Sequence, residues 1–224
     1  MAMPTLAEKI EESCNVLRYA MDAFDGALAV TFSGGKDSLV VLHLTRSLSW
    51  VTVPFPVFSI DTTVKFPETI KFRDRIASLW NLNLIVLTNS ETAGIIKIAK
   101  DKQACCQALK IQPLNEAIVK YNVRGLITAI RWDEQGARTT EQPISPRVNP
   151  PHTRIHPILH FTEADIWDYI HAFELPYCEL YDKGYRSLSC MPCTTKCAKD
   201  HSERMGRSAE KEGVMMDLRL LGYF

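Results

Sequence analysis

The sequence predicts an α/β fold, a doubly wound, mostly parallel sheet followed by a cysteine-containing C-terminal appendage. Three observations carry this. Short apolar runs alternate with stretches of helical period between residues 27 and 130. One such change of period, in AVTFSGGKDSLVVLHL at 29–44, passes through two glycines and a lysine. Beyond Arg131 the periodicity fades, and cysteines collect towards the C-terminus. Strands alternating with helices imply parallel pairing.

The elements follow in order. Leu6, Ile10, Cys14, Leu17 and Met21 share one helical face and predict a helix over 5–24. Strands are expected at 27–32, 56–60, 83–87 and 125–130, and helices at 38–48, 67–80 (with Pro67 suited to its first turn) and 114–121. Residues 135–157, rich in Pro, Thr, Arg and His, read as a long loop. Thr162 as N-cap with Asp165 three residues on predicts a helix over 162–173. The expected organisation is an N-terminal helix at 1–24, a nucleotide-binding α/β domain at 25–175 and a cysteine-bearing tail at 176–224.

Bulk properties narrow the class. A formal net charge of zero provides no global basic field for nucleic acid, though a local patch is compatible with it. No apolar run approaches the roughly 20 residues that span a bilayer. The N-terminus mixes acidic and basic residues on an amphipathic pattern, unlike a signal peptide. The expectation is a cytoplasmic protein with no membrane association, forming a homo-oligomer. Seven cysteines in such a compartment point to metal binding or redox chemistry rather than disulfides. Cys14 and Cys178 stand alone and read as small buried hydrophobes.

The glycine turn reads as an anion site. Gly34 and Gly35 let a ligand approach backbone amides, and the helix that follows offers its N-terminus. Ser33 and Ser38 add hydroxyls, and Lys36 adds a charge. The side chains of Lys36 and Ser33 are expected to face solvent before ligand binds. The four residues that a Walker A loop places before its Gly-Lys are missing.

This string resembles the SGGxDS loop of the PP-loop ATP pyrophosphatase superfamily, whose enzymes cleave ATP between the α and β phosphates and leave an acceptor adenylated. The resemblance implies an adenine nucleotide alpha hydrolase-like fold, with Ser33, Gly34, Gly35, Lys36, Asp37 and Ser38 on the phosphates and Mg²⁺ bridging them. Three further strings resemble the phosphoadenylyl-sulfate reductase family within it. SIDTTVKFPET at 59–69 is similar to its second-strand motif and implies Asp61 and Thr62 near the adenosine. AIRWDEQGAR at 129–138 is similar to its arginine motif and implies Arg131 and Arg138 as anion clamps. RIHPILHFTEADIWDYI at 154–170 is similar to its post-sheet helix, where His156 and His160 read equally well as packed residues or substrate contacts.

Cys105-Cys106 with Cys190-x-x-Cys193 resembles the CC…CxxC set of the [4Fe–4S]-bearing members. Four thiolates also suit zinc, and buried free thiols are a third reading; adjacent cysteines fit a zinc ribbon poorly. Lys110 follows closely enough to lie near the cluster or the substrate. The reductases attack sulfur with a cysteine in a C-terminal ECGLH-like motif, and here no cysteine follows Cys197. The ending HSERMGRSAEKEGVMMDLRLLGYF instead resembles the ATP sulfurylase small subunit and adds Arg204 and Arg207 as nucleotide contacts. A third similar group, the cluster-bearing PP-loop enzymes of DNA phosphorothioation, takes sulfur from a partner cysteine desulfurase and modifies nucleic acid.

The resulting expectation is an ATP-using enzyme that activates an acceptor for sulfur transfer, with ATP or adenylyl sulfate as nucleotide. Lys36, Asp37, Arg131 and Arg138 are its expected catalytic residues. Two alternatives stay open: an adenylyl-sulfate reductase with Cys197 as nucleophile, and a nucleotide-binding subunit that needs a partner chain.

Overall fold

A computed structural model describes residues 3–134, 136–198 and 200–223; Phe224, the last residue of the GYF ending, lies outside them. Helix α1 (Leu6–Phe24) starts on a capping box, in which Thr5 Oγ1 accepts from the Glu8 amide and the Glu8 carboxylate accepts from Thr5 N at 2.7 Å. Then come β1 (Leu28–Thr31), α2 (Lys36–Leu48), β2 (Val57–Ile60), α3 (Pro67–Leu79) and β3 (Leu84–Leu87). Two short helices, α4 (Ser90–Ala93) and α5 (Lys102–Cys106), lead through a π-helical turn at Gln107–Ile111 into α6 (Gln112–Lys120). After these lie β4 (Gly125–Ile127), β5 (Ile144–Arg147), β6 (His152–Ile155) and α7 (Glu163–Ala172); α8 (Ala209–Gly213) and α9 (Met215–Leu220) end the described chain.

The strands form one sheet in the order β3-β2-β1-β4-β6-β5, parallel except for β5. Val30 pairs with Val57 on one side, and Leu28 pairs with Gly125 on the other. The order runs outward from β1 to β3 and restarts at β4, so the switch point lies between β1 and β4. Open α/β sheets bind ligands at that crevice, outside the carboxyl ends of the strands.

One expectation is corrected here. Residues 135–157 are not simply a long loop: β5 and β6 lie within them and complete the sheet. Each strand is only four residues long, and Pro146 interrupts the first. In β6 the buried His152 and Arg154 replace the apolar residues that mark an inner strand. Only tertiary partners make those polar side chains acceptable inside. The remaining elements lie within a few residues of expectation, and Thr162 and Asp165 form the expected capping box on α7.

Side chains alternate across the sheet. On one face Val30, Val57, Ile127 and Ile155 meet Leu17 of α1, Leu39 of α2, Ile76 of α3 and Ile166 of α7. On the other, Ala29, Phe58 and Leu126 meet Leu114 and Ile118 of α6. Cys14 and Cys178 are both buried in the first core. A third cluster packs Met215 and Leu218 of α9 against Cys106, Ile130 and Leu159, and so fastens the tail beside the carboxyl end of β4. Among the described residues no helix is long and apolar enough to cross a membrane.

Two buried histidines make the fold acid-sensitive. His156 Nδ1 lies 2.7 Å from Thr128 Oγ1, and His152 Nδ1 lies 2.8 Å from the Pro150 carbonyl. Burial, reinforced by the Arg154 charge, holds each imidazole down to about 4. Unfolded histidine takes up its proton near pH 6.5, so their contribution is complete above that pH and is lost as pH falls towards 4. Stability from urea unfolding should therefore fall between about pH 7.5 and pH 5 by about 1–2 kcal/mol per histidine, and the pH slope should be shallower in His156→Gln.

Candidate functional site

The turn between β1 and α2 is built by its small residues. Gly34 has φ +81°, and a Cβ there would meet Thr69 Cγ2 at 2.8 Å and the Thr69 carbonyl at 3.0 Å. Only glycine accepts both the positive φ and the close approach of α3. Three turn amides point at hydroxyls: Ser33 N donates to Ser38 Oγ (3.2 Å), Gly35 N to Ser33 Oγ (3.2 Å) and Lys36 N to Tyr181 Oη (2.8 Å). Neutral hydroxyls are partners that an anionic oxygen can replace with stronger, charge-assisted bonds.

Above this turn, at the carboxyl ends of β1, β2 and β4, lies a cavity of about 240 Å³. Phe58, Ile60, Ile111 and Leu114 give it an apolar wall. Ser33, Gly35, Asp37 and Ser38 of the turn line its floor. Its basic lining residues are Lys65, Lys110, Arg138, Arg154, Arg204 and Arg207, against the acids Asp37 and Glu134. Glu134 serves Arg138 (3.3 Å) and Arg204 (3.1 Å). Lys65, Lys110, Arg154 and Arg207 have no carboxylate partner among the described residues. They donate instead to other groups: Lys65 to the Ser33 carbonyl, Lys110 to Ser189 Oγ and Tyr223 Oη, Arg154 to the Gly222 carbonyl and Arg207 to Ser187 Oγ. Burial, and then the neighbouring Lys110, push Lys65 down to about 8; burial and Arg147 push Arg154 down to about 9. Burial and Arg204 also lower Arg207. Lys65, Arg154 and Arg207 are thus short of negative charge, which an anion in the cavity would supply. Lys110 differs: burial would lower it, but Cys190, Tyr223 and Cys106 hold it well above the usual lysine range.

Lys36 and Arg131 are not where the motif reading expects them. Neither lines the cavity. Lys36 is 1% exposed instead of facing solvent, with Nζ donating to Glu203 Oε2 (2.6 Å), Asp37 Oδ2 (3.2 Å) and the Arg186 carbonyl (3.2 Å). Arg131 is fully buried and pairs with Asp133 (2.6 Å) and Glu203. Its Nε also lies 2.6 Å from Asp37 Oδ1, as an ion contact rather than an aligned hydrogen bond. Burial alone would raise the Asp37 carboxyl, but Lys36 and then Arg131 hold it well below the usual range. Burial outweighs Lys36 at Glu203, and with Asp37 adding a like charge it pushes that carboxyl up to about 7. Two cations here neutralise three carboxylates, which is why one of them is held so high.

Asp61 also lies outside the cavity lining, accepting from the Thr63 amide (2.9 Å) and facing Arg73 at 3.6 Å. Thr62 belongs to a different neighbourhood, with Oγ1 3.1 Å from Cys190 Sγ. Cys105, Cys106, Cys190 and Cys193 line one small cavity with Thr62, Lys110 and Lys211. Helix α5 supplies the adjacent pair, and the 3₁₀ turn Met191–Cys193 with its N-cap Cys190 supplies the other two. Burial raises the Cys190 thiol, but Lys110, the Thr62 hydrogen bond and Lys211 bring it down to about 7. Cys190 and Lys110 line both cavities, so the cysteine nest backs directly onto the basic one.

Sequence reasoning missed Lys65, Arg154, Tyr181, Glu134 and Glu203. Lys65 and Arg154 stand inside quoted motifs, SIDTTVKFPET and RIHPILHF, and a search for unpaired basic residues there would have found them. Glu203 stands inside the quoted HSERMGR string beside Arg204, and Tyr181 carries no local signal. The buried ion cluster has a direct consequence. Arg131→Met leaves Asp37, Asp133 and Glu203 without their shared cation and should cost about 3–5 kcal/mol in urea unfolding. Unchanged stability with lost ligand binding would instead make Arg131 a ligand clamp.

Comparisons with known proteins bear on the fold and the family. The chain is 30% identical to sulfate adenylyltransferase subunit 2 2 of Alkalilimnicola ehrlichii, over 95% of this chain and 79% of that protein. It is 29% identical to adenosine 5'-phosphosulfate reductase of Halalkalibacterium halodurans, over 88% and 87%. Among solved structures, phosphoadenylyl-sulfate reductase from Candida auris in a phosphate complex aligns with a TM-score of 0.69 at 21% identity, covering 87% of this chain and 99% of that one. FMN adenylyltransferase from Candida glabrata, solved with ATP, aligns with a TM-score of 0.70 at 19% identity, covering 92% and 75%. These two likenesses are of fold. Residues 27–196, which carry the glycine turn, the whole sheet and all four cysteines of the nest, match the phosphoadenosine phosphosulfate reductase domain, and the chain belongs to that family.

Proposed function

We propose that the chain is an ATP-using adenylyl-transfer enzyme that activates an acceptor for sulfur chemistry. The observation that carries this reading is the cavity at the β1/β4 switch point, where Lys65, Arg154 and Arg207 have no carboxylate partner among the described residues. In the reaction an acceptor oxygen attacks the α-phosphorus of ATP. The α–β bridging bond breaks, and pyrophosphate leaves with its electron pair. The turn amides now held by Ser38, Ser33 and Tyr181 take phosphate oxygens, and Arg204 and Arg207 neutralise the leaving charge. Lys36 and Arg131 act behind the turn by fixing Asp37 and the tail.

The position of Cys197 favours adenylyl transfer over reduction with that residue as nucleophile. Cys197 lies outside the cavity lining, and its thiol donates to the Ser202 carbonyl at 3.3 Å. Sulfur then comes from an external donor, a desulfurase-type partner or a reduced sulfur compound. The relatives named as sulfate adenylyltransferase subunit 2 support a role alongside a partner chain.

The cysteine nest fits a [4Fe–4S] cluster. Four thiols converge on one cavity beside Lys110 and Lys211, which complement the net negative charge of a thiolate-ligated cluster. Adjacent cysteines such as Cys105 and Cys106 fit an ordinary zinc site, with its CxxC pairs, poorly. Cys105, Cys106, Cys190 and Cys193 would hold the cluster, which supplies a fixed charge and a brace between α5 and the tail. Mg²⁺ would enter as the ATP chelate, because Asp37 and Glu134 are already engaged in ion pairs.

Two experiments test this. In calorimetric titration with ATP, Arg207→Ala should weaken binding roughly ten- to hundredfold, the loss of one charge-assisted contact, with little change in melting temperature. Unchanged affinity would remove the anion-site reading, and thioredoxin-dependent release of sulfite from adenylyl sulfate that Cys197→Ser abolishes would install the reductase. Separately, anaerobically purified protein should contain iron and absorb broadly near ~400 nm, and Cys106→Ser or Cys193→Ser should bleach that band and lower the melting temperature. One zinc and no iron would overturn the cluster assignment.

A further inference from the structure

We propose that Glu203 is a positioning residue for the nucleotide site: its carboxylate, seated on Lys36 and Arg131, latches the strap 202–207 against the glycine turn and so holds Arg204 and Arg207 on the cavity wall. The inference rests on the reading of the cavity as an ATP site. Glu203 itself does not line the cavity, so it acts through its neighbours.

The geometry is that of a lever. Glu203 begins the 3₁₀ turn Glu203–Gly206, capped by Ser202, whose Oγ accepts from the Arg204 amide at 3.4 Å. In such a tight turn consecutive side chains diverge. Glu203 runs down to Lys36 and Arg131, while Arg204 turns to Glu134 and Glu212 at the cavity rim. Arg207 follows on the same wall with a single neutral side-chain partner, Ser187 Oγ at 2.8 Å. The back of the strap is pressed onto residues 194–195: Thr195 N donates to the Gly206 carbonyl (2.9 Å), and a Cβ at Gly206 would meet the Thr195 carbonyl at 2.8 Å. Arg204 has carboxylates of its own, so it can stay near its place without the latch. Arg207 has none among the described residues; its backbone is bridged to Thr194, and its side chain is aimed by how the strap is held.

The two cations that receive Glu203 lie directly behind the glycine turn. Lys36 is the first residue of α2 and directly follows Gly35, whose backbone lines the cavity. Arg131 follows β4 across the switch point. The latch therefore ties the tail to both sides of the crevice, in addition to the backbone bridge between Arg207 and Thr194.

The test is a double-mutant cycle on ATP affinity, read by calorimetry with Glu203→Ala, Arg207→Ala and the pair. Glu203→Ala should weaken ATP about tenfold or more, and Glu203→Gln, which keeps the length and one acceptor oxygen, should lose less. Arg207→Ala should cost about tenfold in the wild-type background and under about threefold once Glu203 is Ala, because the arginine is then no longer held in place. Amide hydrogen exchange across 202–207 should speed up in Glu203→Ala relative to the sheet. A residue that only balances buried charge would lower the melting temperature but leave the folded protein's affinity and the Arg207 effect unchanged. That result, or a strictly additive cycle, would overturn the proposal. If Glu203→Ala does not fold, the same cycle is run with Glu203→Gln. Wild-type protein that binds no ATP counts against the ATP reading alone, since exchange in the strap still tests the latch.

Discussion

The buried ion cluster of Lys36, Asp37, Arg131 and Glu203 is the constraint on which the rest of the site depends. It joins three stretches that are far apart in sequence: the turn after β1, the segment after β4 and the C-terminal strap. Buried charges in this number are costly unless each finds a partner at close range, and removing one member strands the others. The cluster therefore works as a coincidence requirement, because its arrangement is satisfied only when all three stretches are in place together. Its effect on the site is indirect. It lies behind the turn, and the groups it holds face the cavity.

The division of basic residues follows from that. Those at the base of the crevice are spent on carboxylates, whereas Lys65, Arg154 and Arg207 at the wall meet, among the described residues, hydroxyls, carbonyls or an imidazole. A wall of under-compensated cations over a floor of exchangeable amide–hydroxyl bonds is preorganised for a polyanion, since the ligand completes interactions rather than displacing strong ones. The apolar patch of Phe58, Ile60 and Leu114 at the same cavity suits a flat aromatic base.

The cysteine nest shares Cys190 and Lys110 with this cavity, so charge in one compartment is felt in the other. Lys110 sits in the π-helical turn between α5 and α6, a local departure from α geometry of the kind found at functional sites. Tyr223, near the end of the described chain, receives hydrogen bonds from both Lys110 and Lys211, and burial there is outweighed by these two lysines, which bring its phenol down to about 7. The C-terminal segment is thus a wall of the site, held at one end by Glu203 and at the other by the packing of Leu218.

By itself the sequence determined the class of fold and the place of the glycine turn. The alternation of periods specifies parallel strands and covering helices, and Gly34 can be read from sequence because a positive φ demands glycine. Local rules reach these features because the physics behind them is local: backbone sterics, capping and side-chain period. The capping boxes at Thr5 and Thr162 belong to the same class. What only the tertiary structure decided is the direction in which each charge points. A lysine beside two glycines reads as a phosphate ligand, yet Lys36 turns inward because Glu203, 167 positions away, offers a carboxylate at 2.6 Å. Strands β5 and β6 escaped notice for the same reason, since His152 and Arg154 are acceptable inside only beside partners that sequence spacing does not reveal. Ion pairing and desolvation act through space, and the chain specifies them only once it has folded.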